Sequence, residues 1–295
     1  MHSFIPSSTK AATALALGLL AAALAGCSSP TSTPRPEALR PAPSRAFNEA
    51  DPATWTLPME AYLPSDDNRS QVAKAKAMLI GDCMKKAGFG QWHAAPELPK
   101  AGPKTLTDWR YGIHDGELAQ RRGYKPDEDE QAAYEAAVNE GAVDGTSAEG
   151  PDGKALQVCI GEARTKLGGS PAAYGEEAQK LGNEAFVRSK EDPAVVAAFQ
   201  AWSACMKEQG YAYKQPLDAS DDQRFQGRDV TPLEISTATA DISCRNRTHV
   251  AKIWWEAEVK LQTVSLEKNA ETLNKARKDL DASVKTVADV LSGEK

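Results

Sequence analysis

Histidine is scarce in this chain, four in 295 residues, and three of them, His93, His114 and His249, stand far apart. No His-Glu-x-x-His run, no pair of histidines at helical spacing and no Cys-x-x-Cys occurs, so a metal site would have to be assembled from scattered groups. A Gly-x-Ser-x-Gly elbow and a glycine-rich phosphate loop are also missing, which removes the local signatures of serine hydrolases and nucleotide binders. No catalytic residue and no cofactor is implied. The formal charge of -6 is spread out, with basic residues interleaved among acidic ones, and leaves no nucleic-acid footprint. Acids are densest from Asp115 to Glu140, where Pro126 to Glu130 reads as the charged first turn of a helix; the spaced oxygen ligands and central glycine of a calcium loop are absent. Carboxylates are numerous enough to keep open a glycosidase-like acid pair, which needs proximity in space and not in sequence.

One uncharged run stands out, Ala11 to Ala25, preceded by a polar stretch with Lys10. It has the composition of a secretory h-region and falls short of the roughly 20 residues of a membrane span. It ends in Leu24-Ala25-Gly26-Cys27, which resembles the bacterial lipobox, where the cysteine thiol is diacylated and the peptide bond before it is cut. Residues 1–26 are then expected to be a lipoprotein signal peptide, and Cys27 the lipidated first residue of the mature chain. Residues 27–47 are rich in Ser, Thr and Pro and cannot bury enough apolar surface to fold. They read as a tether whose roughly eighteen extended residues, at about 3.1 Å each, reach some 50 Å from a bilayer. Two or three acyl chains make release from the membrane slow. The expected location is the extracytoplasmic face of the cell membrane, with the membrane itself as one partner.

Beyond Cys27, four cysteines remain, Cys83, Cys159, Cys205 and Cys244, an even number for an oxidising compartment. They allow three connectivities, and spacing alone selects none. The chain does repeat a phrase, Cys83-Met-Lys-Lys-Ala-Gly-Phe89 and Cys205-Met-Lys-Glu-Gln-Gly-Tyr211. Each copy reads as a helix ending, with Gly88 or Gly210 as the left-handed C′ residue and Phe89 or Tyr211 folded back over Met84 or Met206. If the copies are duplicates, each pairs with the next helical cysteine, Cys83 with Cys159 and Cys205 with Cys244. Closing loops of this size contributes about 4 kcal/mol each in the chain-entropy model.

The pattern of the rest is mainly α, with at most minor β. Residues 48–230 read as a helical domain with a loop-rich section from Gly88 to Lys125, and 231–292 as a long C-terminal helix packed on the domain in its first half. Trp55 and Tyr62 are expected to lie against the domain from an irregular segment. Helices are expected from about Asn68 to Ala87, near Glu130 to Asn139, from Lys154 to Leu167, along Tyr174, Ala178, Leu181 and Ala185, and through Cys205 after Pro193. Tyr211 and Tyr213 suit a short strand. Thr231-Pro232-Leu233-Glu234 has a cap residue, a first-turn proline and the glutamate of a capping box, and no Pro or Gly follows Leu233 until Gly293. A continuous helix there would span about 90 Å at 1.5 Å per residue. Its later half repeats Val259, Leu266, Leu273, Leu280 and Val287 every seventh residue, the seam of a coiled coil, a hairpin or a helix folded back on the domain. His249 reads as a satisfied core residue on that helix. The adjacent Trp254 and Trp255 point about 100° apart, so one is expected in the core and the other is a candidate partner contact.

The lipobox, the tether, Arg110-Tyr-Gly-Ile113 with Arg121-Arg-Gly-Tyr124 downstream, and the stretches Cys159–Gly169, Asp192–Tyr211 and Thr237–Glu256 resemble a family of exported lipoproteins of high-GC Gram-positive bacteria. The resemblance implies the location and the disulfides and supplies no reaction. The expected function is a non-enzymatic binding or accessory lipoprotein for an envelope protein or cell-wall partner. The alternatives are a cell-wall hydrolase using paired carboxylates and a small-ligand-binding lipoprotein.

Overall fold

Helix ends are written into the sequence as side chains that satisfy the first N–H groups and glycines that release the last turn. The computed structural model, which describes residues 46–141, 153–169 and 175–293, has ten α-helices among those residues, and such side-chain caps start α1, α2, α3, α6 and α8. The predicted signal peptide, the acceptor Cys27, nearly all of the tether and Tyr174 lie outside the described residues. Helix α1 (Asp66–Lys86) starts two residues earlier than the pattern placed it, because Ser65 accepts from the Asn68 N–H while the Asn68 side chain accepts from the Ser65 N–H. It ends as predicted. Gly88 is left-handed (φ 94°), the Phe89 N–H reaches the Met84 carbonyl and the Gly88 N–H that of Lys85. The second copy of the phrase closes α6 (Pro193–Glu208) in the same way, with Gly210 at φ 91° and Tyr211 bonded to Met206.

Between these lie α2 (Gly116–Arg122), α3 (Glu128–Asn139), α4 (Gly153–Lys166) and α5 (Glu176–Ser189). The acidic first turn of α3 is as predicted, capped by Asp127. The Gly88–Lys125 section is not all loop, since Asp115 caps α2 within it. After α6 come α7 (Pro216–Ser220), α8 (Pro232–Thr248), α9 (Val250–Lys268) and α10 (Ala270–Ser292). No strand occurs among the described residues. Tyr211 and Tyr213 lie in an irregular turn where the Ser203 hydroxyl takes the Tyr213 carbonyl that a neighbouring strand would have taken.

The C-terminal helical run is jointed. His249 adopts φ 51° and separates α8 from α9, a conformation that histidine tolerates better than most residues. His249 is exposed there and not in the core, a correction that follows from its position at the joint. Asn269 only bends the run, because its N–H still bonds Ser265 and its carbonyl still accepts from Leu273. The heptad seam finds its partners inside the chain: Leu266 and Leu273 pack with Met59, Tyr62 and Leu181, and Val287 with Ala75 and Leu167. The second half is therefore packed too, α10 lying on α1.

Capping at α8 differs from expectation in one respect. Thr231 accepts from the Glu234 N–H, but the Glu234 carboxylate does not return to Thr231; it is fully buried and accepts from the Tyr124 N–H at 3.2 Å. A Cβ at Gly123 (φ 61°) would lie 2.5 Å from Glu234 Cγ, so that glycine is what lets the glutamate in.

The main core forms where α6, α8 and α9 meet, around Trp202, Trp254, Tyr111 and Phe225. Each such side chain contributes roughly 1.5–3 kcal/mol by leaving water. Disulfides join Cys205 to Cys244 across α6 and α8, and Cys83 to Cys159 across α1 and α4, with Cα separations of 5.6 and 5.5 Å. The stripe Leu156, Cys159, Ala163 and Leu167 is buried as its spacing predicts.

Candidate functional site

The loop Thr105–His114 carries polar side chains that stitch the chain to it from both sides. Thr105 and Thr107 donate their hydroxyls to the Ala53 and Trp55 carbonyls of the N-terminal strap, residues 47–63. Asp108 accepts from the Lys104 N–H and lies 2.6 Å from His114 Nε2, while His114 Nδ1 lies 3.3 Å from Asp51. Burial pushes the Asp108 carboxyl up, but the His114 and Lys104 hydrogen bonds outweigh it and hold the group below its ordinary range. Trp109 takes φ 63°, a strained conformation for so bulky a residue, with its ring against Gly102. Strain of this kind costs on the order of 1–3 kcal/mol and persists only where the surroundings fix it.

What the kink fixes is the next two side chains. Arg110 donates Nε and Nη2 to the two oxygens of Glu258, at 3.0 and 2.7 Å, and the Tyr111 hydroxyl donates to the same carboxylate at 2.8 Å. Gln262, one turn along α9, donates to Glu258 at 2.7 Å and accepts from the Met59 N–H at 2.9 Å. Burial lowers the affinity of Arg110 for its proton, yet the Glu258 hydrogen bonds and charge more than restore it, so the guanidinium stays charged. Burial and Glu258 together raise the Tyr111 phenol well above its ordinary value. Glu60, which feels both Arg110 and Glu258, is raised by burial, partly offset by the Leu57 N–H that it accepts.

A second buried carboxylate, Asp241, is spent in the same manner. It accepts from Trp202 Nε1 at 2.8 Å and the Tyr124 hydroxyl at 3.2 Å, and lies 2.7 Å from Arg245 Nε. Its complete burial raises the carboxyl, against the pull of Arg245. Arg245 also donates to the Tyr111 and Pro216 carbonyls, and Gly112 (φ 104°) is the residue whose missing Cβ admits it. The two networks thus meet at Tyr111.

Two hollows flank the loop. One, about 370 Å³, lies beside Trp55, His114 and His249. The other is a cleft of about 360 Å³ between the strap, α5 and Arg110, lined by no carboxylate. Neither Glu60 nor Glu258 reaches its wall, so the acid pair of a glycosidase is not assembled there. Among the described residues no group of three or more His, Cys, Asp or Glu is placed to hold a metal, and no helix is long and apolar enough to cross a membrane.

Of the residues singled out by sequence, Cys83, Cys159, Cys205 and Cys244 are brought together in two pairs. Trp254 as a partner contact is corrected: it is 1% exposed, stacked on Phe186, with its indole N–H on Ser189. Trp255 is half-buried; its ring sits 5.2 Å from Trp55 and 5.6 Å from Phe47, and its N–H donates to the Thr56 carbonyl. Glu258 and Gln262 escaped sequence reading. The available signal was their spacing, four and eight residues after Trp254, which puts both polar groups on the buried stripe of α9. No family model, no curated protein and no solved structure matches the chain.

Proposed function

We propose that the protein is a non-enzymatic binding lipoprotein, anchored through Cys27 at the extracytoplasmic face of the cell membrane and presenting its helical domain on a Ser/Pro-rich tether to an envelope partner. The observation that carries this reading is the use of two of the three fully buried acids among the described residues: Glu258 and Asp241 have their oxygens occupied by arginine, tyrosine, glutamine or tryptophan donors, while the third, Glu234, accepts from the Tyr124 N–H and does not line the cleft. Groups so engaged make a rigid frame, of which Arg110 and Gln262 border the open cleft, and no carboxylate or histidine lines that cleft to act as a general acid or base. The two disulfides favour an oxidising compartment, in keeping with an exported chain. Such a frame suits recognition, where preorganised surroundings reduce the ordering cost of binding.

The test is fractionation of cells carrying the wild-type chain or Cys27→Ala, with mass spectrometry of the N-terminus. The wild type is expected in the membrane fraction, beginning at an acylated Cys27, and the variant is expected to lose the acyl mass and the cleavage. An unmodified N-terminus in a cytosolic fraction overturns the reading.

A further inference from the structure

The cleft beside Arg110 has a composition that points to a ligand class. Its wall combines two guanidinium groups, Arg69 and Arg110, with three carboxamides, Gln179, Asn183 and Gln262, over an apolar bed that includes Met59, Leu63 and Leu106. Arg110, whose side chain lines the cleft, spends Nε and Nη2 on Glu258, and no acceptor for its Nη1 occurs among the described residues. The Phe186 ring, 4.3 Å from Arg110 Cζ, and the kink at Trp109 fix that guanidinium in place. Arg69 also lines the cleft; its Nη1 donates to the Pro64 carbonyl at 2.6 Å and its Nη2 to Asp66, a carboxylate that Lys100 shares outside the cleft wall, so one positive charge among these three groups is left in excess. Glu60 lies within electrostatic reach of Arg110, but its Oε1 is held by the Leu57 N–H and the residue does not line the cleft.

Gln179 and Asn183 stand four residues apart on α5, hence on one face, and neither side chain has a protein hydrogen-bond partner among the described residues. A carboxamide both donates and accepts, as a peptide group does. Two of them with Cβ atoms roughly 5–6 Å apart are close to the separation of alternate residues in an extended chain, about 6.6 Å. Between them Gly182 keeps the bed low. The volume, about 360 Å³, is at the lower end of the range for ligand pockets.

We propose that this cleft binds the carboxyl end of a short extended peptide, its terminal carboxylate on Arg110 and Arg69, its amides on Gln179 and Asn183, and its last side chain on the apolar bed. The assignment rests on the reading of the protein as a binding lipoprotein and names the class of its ligand. Guanidinium recognition of a carboxylate is directional, so the free terminus supplies the specificity.

Titration calorimetry on the full-length protein extracted from membranes tests it, with N-acetyl-Ala-Ala-Leu as the free acid and as the C-terminal amide, and with acyl-D-Ala-D-Ala and its L form. The acid is expected to bind at least tenfold more tightly than the amide. Leu106→Asp, at the 43% exposed rim, is expected to weaken binding of the acid tenfold or more with an unchanged melting temperature, and Asn183→Ala to weaken acid and amide alike. Preference for the D form marks a wall-derived peptide and preference for the L form a protein-derived one; either supports the assignment. Equal affinity for acid and amide, unchanged affinity in Leu106→Asp, or no heat with any peptide at millimolar concentration overturns it. A failed titration with Cys27 still acylated removes the peptide and leaves the anchored binding protein standing, whereas an unacylated cytosolic chain removes the latter.

Discussion

Replacing both Cys83 and Cys159 by alanine removes the covalent link between α4 and α1 and leaves the central cluster untouched. Helix α4 packs on α1 through Leu156, Cys159 and Ala163, against Ile80 and Met84, and Leu167 beyond its end meets Val287 and Val290. None of these residues belongs to the cluster around Trp202 and Trp254. The bridge closes a sequence separation of 76 residues, for which the chain-entropy model gives about 4.5 kcal/mol, an upper figure because the unlinked chain retains some structure. At about 1.4 kcal/mol per decade that corresponds to roughly three decades of opening equilibrium. Native-state hydrogen exchange reads it helix by helix. Amides of α4 are expected to lose about a thousandfold of their protection, while those of α6, α8 and α9 lose less than tenfold. The mirror variant, Cys205→Ala with Cys244→Ala, opens a separation of 39 residues worth about 3.9 kcal/mol inside the main core, and its loss is expected to spread over all three central helices. If α4 keeps its protection, or loses it in step with α9 in the first variant, α4 is not an independently opening unit and the reasoning fails.

Glu258→Gln leaves Arg110, 15% exposed at its side chain, without a carboxylate, and breaking a buried pair from one side costs about 3–5 kcal/mol; urea denaturation giving a loss under about 1 kcal/mol would refute the frame assigned to that network. Burial, followed by the Asp222 hydrogen bond and charge, raises the Tyr213 phenol to about 12. Above pH 10 the unfolded chain therefore releases this proton before the folded one, so stability falls as pH rises from 10 to 12, and Tyr213→Phe is expected to remove that part of the slope; an unchanged slope in the variant would refute the assignment.

Much of the local structure was legible because it depends on neighbours a few residues apart. Ser65, Asp127, Asp192 and Thr231 cap helices where their side chains reach N–H groups two or three residues on, and Gly88 and Gly210 end them by adopting positive φ. The joint at His249 gave no such sign. Nothing in Asn-Arg-Thr-His-Val breaks a helix by itself, and the left-handed residue is held by packing on either side of it. Glu234 shows the same limit: its position three residues after Thr231 suits a capping box, yet the small Gly123, more than a hundred residues earlier, drew the carboxylate inward.

The helical character of the chain, and the starts or ends of several helices, could be read from the residues alone, as could the N-terminal pattern from which an acylated, tethered protein is expected. Which helices meet, the filling of the heptad seam from within the chain, and the convergence of Arg110, Tyr111, Glu258 and Gln262 beside an open cleft came from the fold. The reason is range. Caps and turns are set by hydrogen bonds spanning a few residues, whereas a buried carboxylate is placed by donors some 150 residues away, and no local pattern records which of many acids will find them.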